Sequence, residues 1–168
     1  NQMNNTPGKV LEADIKAMLI EHLLQKGAVS SGSVLINEFT IDNFSRRVDL
    51  VTVGKDCLHA YEIKSEADSL YRLESQVEMY LKFFDKVIVV AASKHIAGVL
   101  QKVAEEITVM EVTDRGLKLS RRGRTRKTQS VCSLLKLMKV TDLKKLSTRL
   151  GLAVKSHTRA ELARAMLC

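Results

Sequence analysis

The 168-residue sequence has no tryptophan, one proline and only seven other aromatic residues, three Tyr and four Phe. No apolar run approaches the roughly 18 residues that a membrane-spanning helix needs. Low-complexity disorder and collagen-like repeats are excluded by a composition that is 45% hydrophobic and 27% charged. The N-terminal stretch NQMNNTPGKV lacks the apolar centre of a signal peptide, so export is not expected. Three cysteines, Cys57, Cys132 and Cys168, are widely spaced and form no CxxC pair, which argues against a disulfide framework or a zinc knuckle. A reducing, cytoplasmic compartment is the expectation. His22, His59, His95 and His157 show no metal-ligand spacing.

The charge is divided unevenly. Residues 1–114 carry 12 Lys/Arg and 17 Asp/Glu, whereas residues 115–168 carry 15 Lys/Arg and two acids, Asp142 and Glu161. An acidic first part followed by a strongly basic one suggests a working domain with a polyanion-binding arm. The plain alternative is a basic helical bundle without a nucleic-acid partner. A phosphate backbone suits such charge density; a membrane surface suits it less, because no aromatic face backs the basic residues.

Apolar residues at 11, 15, 19 and 23 predict a helix over 9–26 that Gly27 ends. Strands are expected at 33–41, 47–53 and 57–64, the last two joined at hairpin spacing through Gly54-Lys55-Asp56. A helix over 67–84, a fully covered strand at 86–92, a helix near 94–105 and a strand at 107–112 follow. The fold class is α/β, with a mixed central sheet flanked by helices in the order αβββαβαβ. Residues 1–120 are assigned to this core, 121–129 to a basic linker and 130–168 to a basic helical region. Within that region short helices are expected at 130–138, 141–149 and 158–167, with Gly151 ending the middle one.

One stretch carries chemistry. Asp49 stands inside the apolar strand Val48-Asp49-Leu50-Val51, where an unpaired carboxylate is costly to desolvate. Alternation along Glu62-Ile63-Lys64 puts Glu62 and Lys64 on one face, and antiparallel pairing through the Gly54 turn brings Asp49 beside Glu62. Two hard carboxylates with waters and a substrate phosphate make a magnesium site, with Mn²⁺ as a substitute. Lys64 would orient the attacking water or neutralise charge on the phosphorane. The plain alternative is a structural salt bridge between Asp49 and Lys64. Glu12, on the first helix, and Glu38, on the first strand, compete as further ligands; either is otherwise an ordinary solvated charge. Glu66 and Asp68 are read as acids of a helical first turn. Arg46, Arg47 and Arg72 flank the motif as candidate phosphate contacts, and Ser65 is a further one.

D-(12 residues)-E-I-K in this order of elements resembles the PD-(D/E)XK nuclease superfamily over residues 9–112, with Val48 in place of the usual proline. The resemblance implies that Asp49 and Glu62 hold the metal, that the Ile63 carbonyl adds a ligand, that Glu12 ranks above Glu38 as a further one and that Lys64 assists catalysis. Gln76 and Tyr80, four residues apart on one helix face, match the Q-xxx-Y motif of RecB-like nucleases, which implies support of the site. Together these imply Mg²⁺-dependent hydrolysis of DNA, duplex or branched, with a homodimer as one option. The alternatives are a catalytically silent nucleic-acid-binding module and a protein-interaction domain. The basic candidates beyond the core are Arg121, Arg122, Arg124, Arg126 and Lys127 in the linker. Lys144, Lys145, Arg149, Lys155, Arg159 and Arg164 lie in a segment, Thr141–Leu167, that resembles a SAP-like helical module. The alternative for that segment is a helical hairpin docked on the core.

Overall fold

The apolar, β-branched run Lys86–Ala92 is buried along almost its whole length and forms a central strand, as its lack of alternation requires. The computed structural model describes residues 9–29, 33–40, 47–54, 57–127, 138–149, 151 and 158. The order is α1 (Glu12–Gln25), β1 (Val34–Thr40), β2 (Arg47–Val53), β3 (Leu58–Lys64), α2 (Leu73–Tyr80), β4 (Lys86–Ala92), a 3₁₀ turn (Ser93–His95), α3 (Ile96–Lys102), β5 (Thr108–Thr113), β6 (Gly116–Arg121) and α4 (Val140–Arg149). The six strands lie in chain order in one sheet. β1, β2 and β3 pair antiparallel, β3, β4 and β5 pair parallel, and β6 returns antiparallel on β5.

Two apolar layers enclose this sheet. On one face α1 buries Ile15, Leu19 and Leu23 against Leu50, Tyr61, Ile63, Ile88 and Val90. On the other, Leu73, Val77, Tyr80 and Phe84 join Val87, Val89 and Val109, together with Met138, Leu143 and Leu146. Burying each such side chain contributes about 1.5–3 kcal/mol. The buried leucines of α4 therefore belong to the core cluster of the sheet, not to a small core of their own as a SAP-like module would have. The helices expected at 130–138 and 158–167 lie outside the described residues, except for Met138 and residue 158.

α1 ends as expected: Gly27 takes φ +65°, and the Ala28 amide donates to the Leu23 carbonyl. Gly151, also at positive φ, follows α4. α2 is shorter than the predicted 67–84. Asp68 accepts from the Ser65 amide and hydroxyl, holding the chain in a turn, and helix begins only at Leu73. α3 ends at Lys102, short of 105. β6 was not expected; its alternation of Leu117 and Leu119 with Lys118 and Ser120 is short and follows a tight turn at Gly116, φ +107°. Among the described residues no helix is long and apolar enough to cross a membrane.

Candidate active site

β2 and β3 pair from Val53–Leu58 to Leu50–Tyr61. One step further Asp49 comes beside Glu62, and the Asp49 carboxylate takes over the bridging role of the main chain. Its Oδ2 accepts the Ile63 amide at 2.7 Å. β3 meanwhile continues beside β4 as far as Lys64. The end of the β2–β3 pair is thus held together by a side chain.

Glu62 is 2% exposed and has two partners. Lys64 Nζ donates to its Oε1 at 2.8 Å, and the Tyr80 hydroxyl lies 3.0 Å from its Oε2. The same Lys64 ammonium donates to Gln76 Oε1 at 3.2 Å. Tyr80 OH also lies 3.2 Å from the Arg47 carbonyl, which ties α2 to the start of β2. The five residues singled out in sequence, Asp49, Glu62, Lys64, Gln76 and Tyr80, are therefore gathered in one place, and Lys64 pairs with Glu62. Gln76 and Tyr80 reach the site because α2 presents both toward β3, beside the buried Leu73 and Val77.

Asp49, Glu62, Ile63, Lys64 and Gln76 line an open cleft of about 700 Å³, with Tyr80 buried behind Glu62. Glu12 from the first turn of α1, Arg47, Arg72, Asp68, Thr40 and Lys139 complete its lining. Burial pushes the Asp49 carboxyl up to about 7; the neighbouring Glu62 and, less strongly, Glu12 add to this, while the Ile63 amide and Lys64 oppose it. A buried carboxylate beside two others attracts either a proton or a hard cation. The donor set fits Mg²⁺ in that respect: Asp49 and Glu62 supply oxygen ligands on adjacent strands, with Glu12 nearby. Among the described residues, however, no three Asp, Glu, His or Cys side chains are grouped closely enough to enclose a metal. An ion there would rest on two carboxylates, with main-chain oxygen and water completing its shell.

The two competing glutamates separate. Glu12 lines the cleft and also pairs with Lys16 at 3.4 Å. Glu38 does not line it: with φ +55° it leaves the regular ladder and pairs with Arg47 at 3.4 Å. Ser65 is buried and donates to Asp68, so its hydroxyl is engaged inside the turn. Asp68 is a turn acceptor, not a helical first-turn acid. The spacing Ser65–Asp68 carried that signal.

The basic candidates also divide. Arg47 and Arg72 line the cleft. Lys145 and Arg149 lie on α4 along a second groove, of about 250 Å³, which meets the first at Thr40. Lys144 is exposed on the same helix. Arg121 is engaged within the fold: its guanidinium donates to the carbonyls of Leu100, Val103, Ala104 and Ile107, closing the end of α3. Arg126 pairs with Glu106 at 2.6 Å, and its amide donates to the Asp85 carbonyl. Both lie where β4 and β5 begin, the end of the sheet opposite the cleft. Arg122, Arg124 and Lys127 are exposed on that same segment. Arg46, Lys155, Arg159 and Arg164 lie outside the described residues. Lys139, just before α4, was not foreseen as a cleft residue. Its only signal was the density of basic residues.

The same arrangement of elements occurs elsewhere. A protein of unknown function from Silicibacter pomeroyi, SPO1766, superposes with TM-score 0.55 over 84% of this chain and 94% of its own, at 17% identity. SfsA from Pyrococcus furiosus, solved with Ca²⁺, reaches only TM-score 0.37 over 68% of this chain and 64% of its own, at 13% identity, too distant to bear on fold or function. In sequence, protein cII of Enterobacteria phage P4 is 37% identical over 128 residues, which cover 74% of this chain and 46% of that protein. The chain thus spans about half the length of that relative. The match to the family of bacteriophage P4 protein cII runs over residues 6–166. The chain belongs to the bacteriophage P4 protein cII family.

Proposed function

We propose that the cleft is the active site of a Mg²⁺-dependent DNA nuclease of the PD-(D/E)XK kind. The observation that carries this reading is the juxtaposition of Asp49 and Glu62 where β2 and β3 separate, with the Lys64 ammonium bonded to Glu62. Asp49 and Glu62 would hold the ion, joined by Glu12 directly or through water. Bound there, Mg²⁺ supplies Lewis-acid polarisation of the scissile phosphate. Lys64, fixed between Glu62 and Gln76, orients the attacking water and offsets charge developing on the phosphorane. Tyr80 holds Glu62 from the other side, so the carboxylate enters the reaction already oriented. Arg47, Arg72 and Lys139 offer cations at the cleft for the flanking phosphates.

A second reading is a nucleic-acid-binding module without catalysis. It is favoured by the engagement of both Glu62 oxygens and by the lack, among the described residues, of a three-ligand group. Supercoiled plasmid incubated with the protein and Mg²⁺ or Mn²⁺, beside Glu62→Gln, separates the two. Nicking or linearisation by the parent and not by the variant supports the nuclease. Salt-sensitive binding with no cutting by either protein supports the silent module.

A further inference from the structure

Tyr71 is 90% exposed, the most exposed of the large apolar side chains among the described residues. The other two tyrosines, Tyr61 and Tyr80, are buried, and the chain has no tryptophan. Tyr71 immediately precedes Arg72 in the chain, and Arg72 lines the cleft.

The turn that carries Tyr71 is fixed on both sides. Before it, Asp68 holds Ser65 by two hydrogen bonds of 2.7 and 2.6 Å, and His95 Nε2 contacts the Ser65 carbonyl at 3.0 Å. Leu70 packs against the core, and a side chain at Gly98 would collide with it. After it, the Arg72 carbonyl accepts from the Gln76 amide and the Ser75 hydroxyl. An aromatic ring in water on a braced turn, next in the chain to a cation that lines the cleft, has the chemistry of a base-stacking platform. Stacking is tolerant of sequence because every base offers a π-face, and it needs that face to be free of its neighbours.

We propose that Tyr71 stacks on an unpaired nucleobase beside the phosphate held in the cleft, so that the preferred substrate is a single strand or a frayed or branched duplex. This rests on the reading of the cleft as a phosphodiester site and names its substrate class.

The test uses the full chain in EDTA, where binding is read without cleavage. With no tryptophan, tyrosine emission is directly observable, and Tyr71 is the tyrosine that a ligand can reach. Titration with (dT)12 quenches that emission to saturation, whereas inorganic polyphosphate binds the cations without quenching. Tyr71→Leu loses the quench and binds (dT)12 about tenfold more weakly, while its affinity for a blunt 12-base-pair duplex changes by about twofold at most. Tyr71→Trp restores (dT)12 affinity. Parental (dT)12 affinity in Tyr71→Leu, an equal loss on the duplex, quenching by polyphosphate, or no binding of (dT)12 by the parent each overturns the proposal. A parent that quenches yet cuts nothing keeps the stacking site and loses the nuclease. A parent that cuts plasmid while Tyr71→Leu binds normally loses only the stacking site.

Discussion

The two ends of the sheet use the same device for different purposes. At the cleft, Asp49 Oδ2 accepts the Ile63 amide at 2.7 Å; at the far end, Asp85 Oδ2 accepts the Leu58 amide at 2.8 Å. Each aspartate joins β3 to a neighbouring segment through its side chain. What differs is the company. Asp85 also donates its amide to the Leu58 carbonyl and accepts from the Arg126 amide, a closed main-chain arrangement. Nearby Arg121 faces main-chain carbonyls. Asp49 instead faces Glu62 and Glu12 in an open cleft rimmed by Arg47, Arg72 and Lys139. A carboxylate hydrogen bond is therefore no mark of function by itself; further carboxylates beside it in a cleft open to solvent are the better indicator.

The two ends should differ most under substitution at the cleft. Asp49→Asn and Lys64→Ala should each lower plasmid cleavage by about a thousandfold, within the range that positioned acid–base groups contribute. Gel assays at matched folded concentrations check this. Asp85→Ala should behave oppositely. It leaves the buried Leu58 amide without its carboxylate and costs about 2 kcal/mol in denaturant melts, while the cutting rate per folded molecule stays parental.

The pH dependence sharpens the contrast. In the folded chain Asp49 is raised from the ordinary 3.8 to about 7, so the native state binds this proton more tightly than the unfolded state. Its contribution to stability is greatest below about pH 4, falls as pH rises to 7 and is level above that. In metal-free buffer, Asp49→Asn should gain on the parent over this window by about 2 kcal/mol, discounting for partial exposure. Urea midpoints at pH 4 and 8 measure it. A constant difference would mean that Asp49 lacks the raised affinity.

Smaller effects separate the arginines. Arg121→Ala should cost about 1 kcal/mol of stability without altering DNA affinity. Arg72→Ala should leave stability unchanged and reduce the slope of log K against log salt by about 0.9 in filter binding. Smallest is Glu38→Gly, which relieves the left-handed backbone at φ +55° and should add about 0.5–1 kcal/mol. The Glu38–Arg47 pair at 3.4 Å is largely exposed and offsets little of that gain.

Long-period features of the sequence transferred well to the structure. The four-residue recurrence of α1, the continuous apolar run of β4 and the hairpin spacing of β2 and β3 each reflect burial over several residues, and burial is what sequence pattern records best. The grouping of Asp49, Glu62, Lys64, Gln76 and Tyr80 was legible because strand alternation and helix spacing are short-range geometry. What escaped depended on contacts between distant segments. Nothing local distinguishes Arg121, which closes α3, from Arg122, which is exposed; the difference lies in carbonyls 14 to 21 residues away. Lys139 reaches the cleft only because Leu143 and Leu146 dock on the sheet. Glu38 left the site through one backbone angle, which no residue type foretells.

Like carboxylate bridges at the two ends of the sheet should divide into chemistry and structure, and one paired measurement separates them. Asp49→Asn and Asp85→Asn are assayed side by side for plasmid nicking with Mg²⁺, each normalised to its folded fraction. The expected results are a folded Asp49→Asn that does not cut and a less stable Asp85→Asn that cuts at the parental rate. Cutting by Asp49→Asn at the parental rate, or loss of cutting by fully folded Asp85→Asn, would contradict this division.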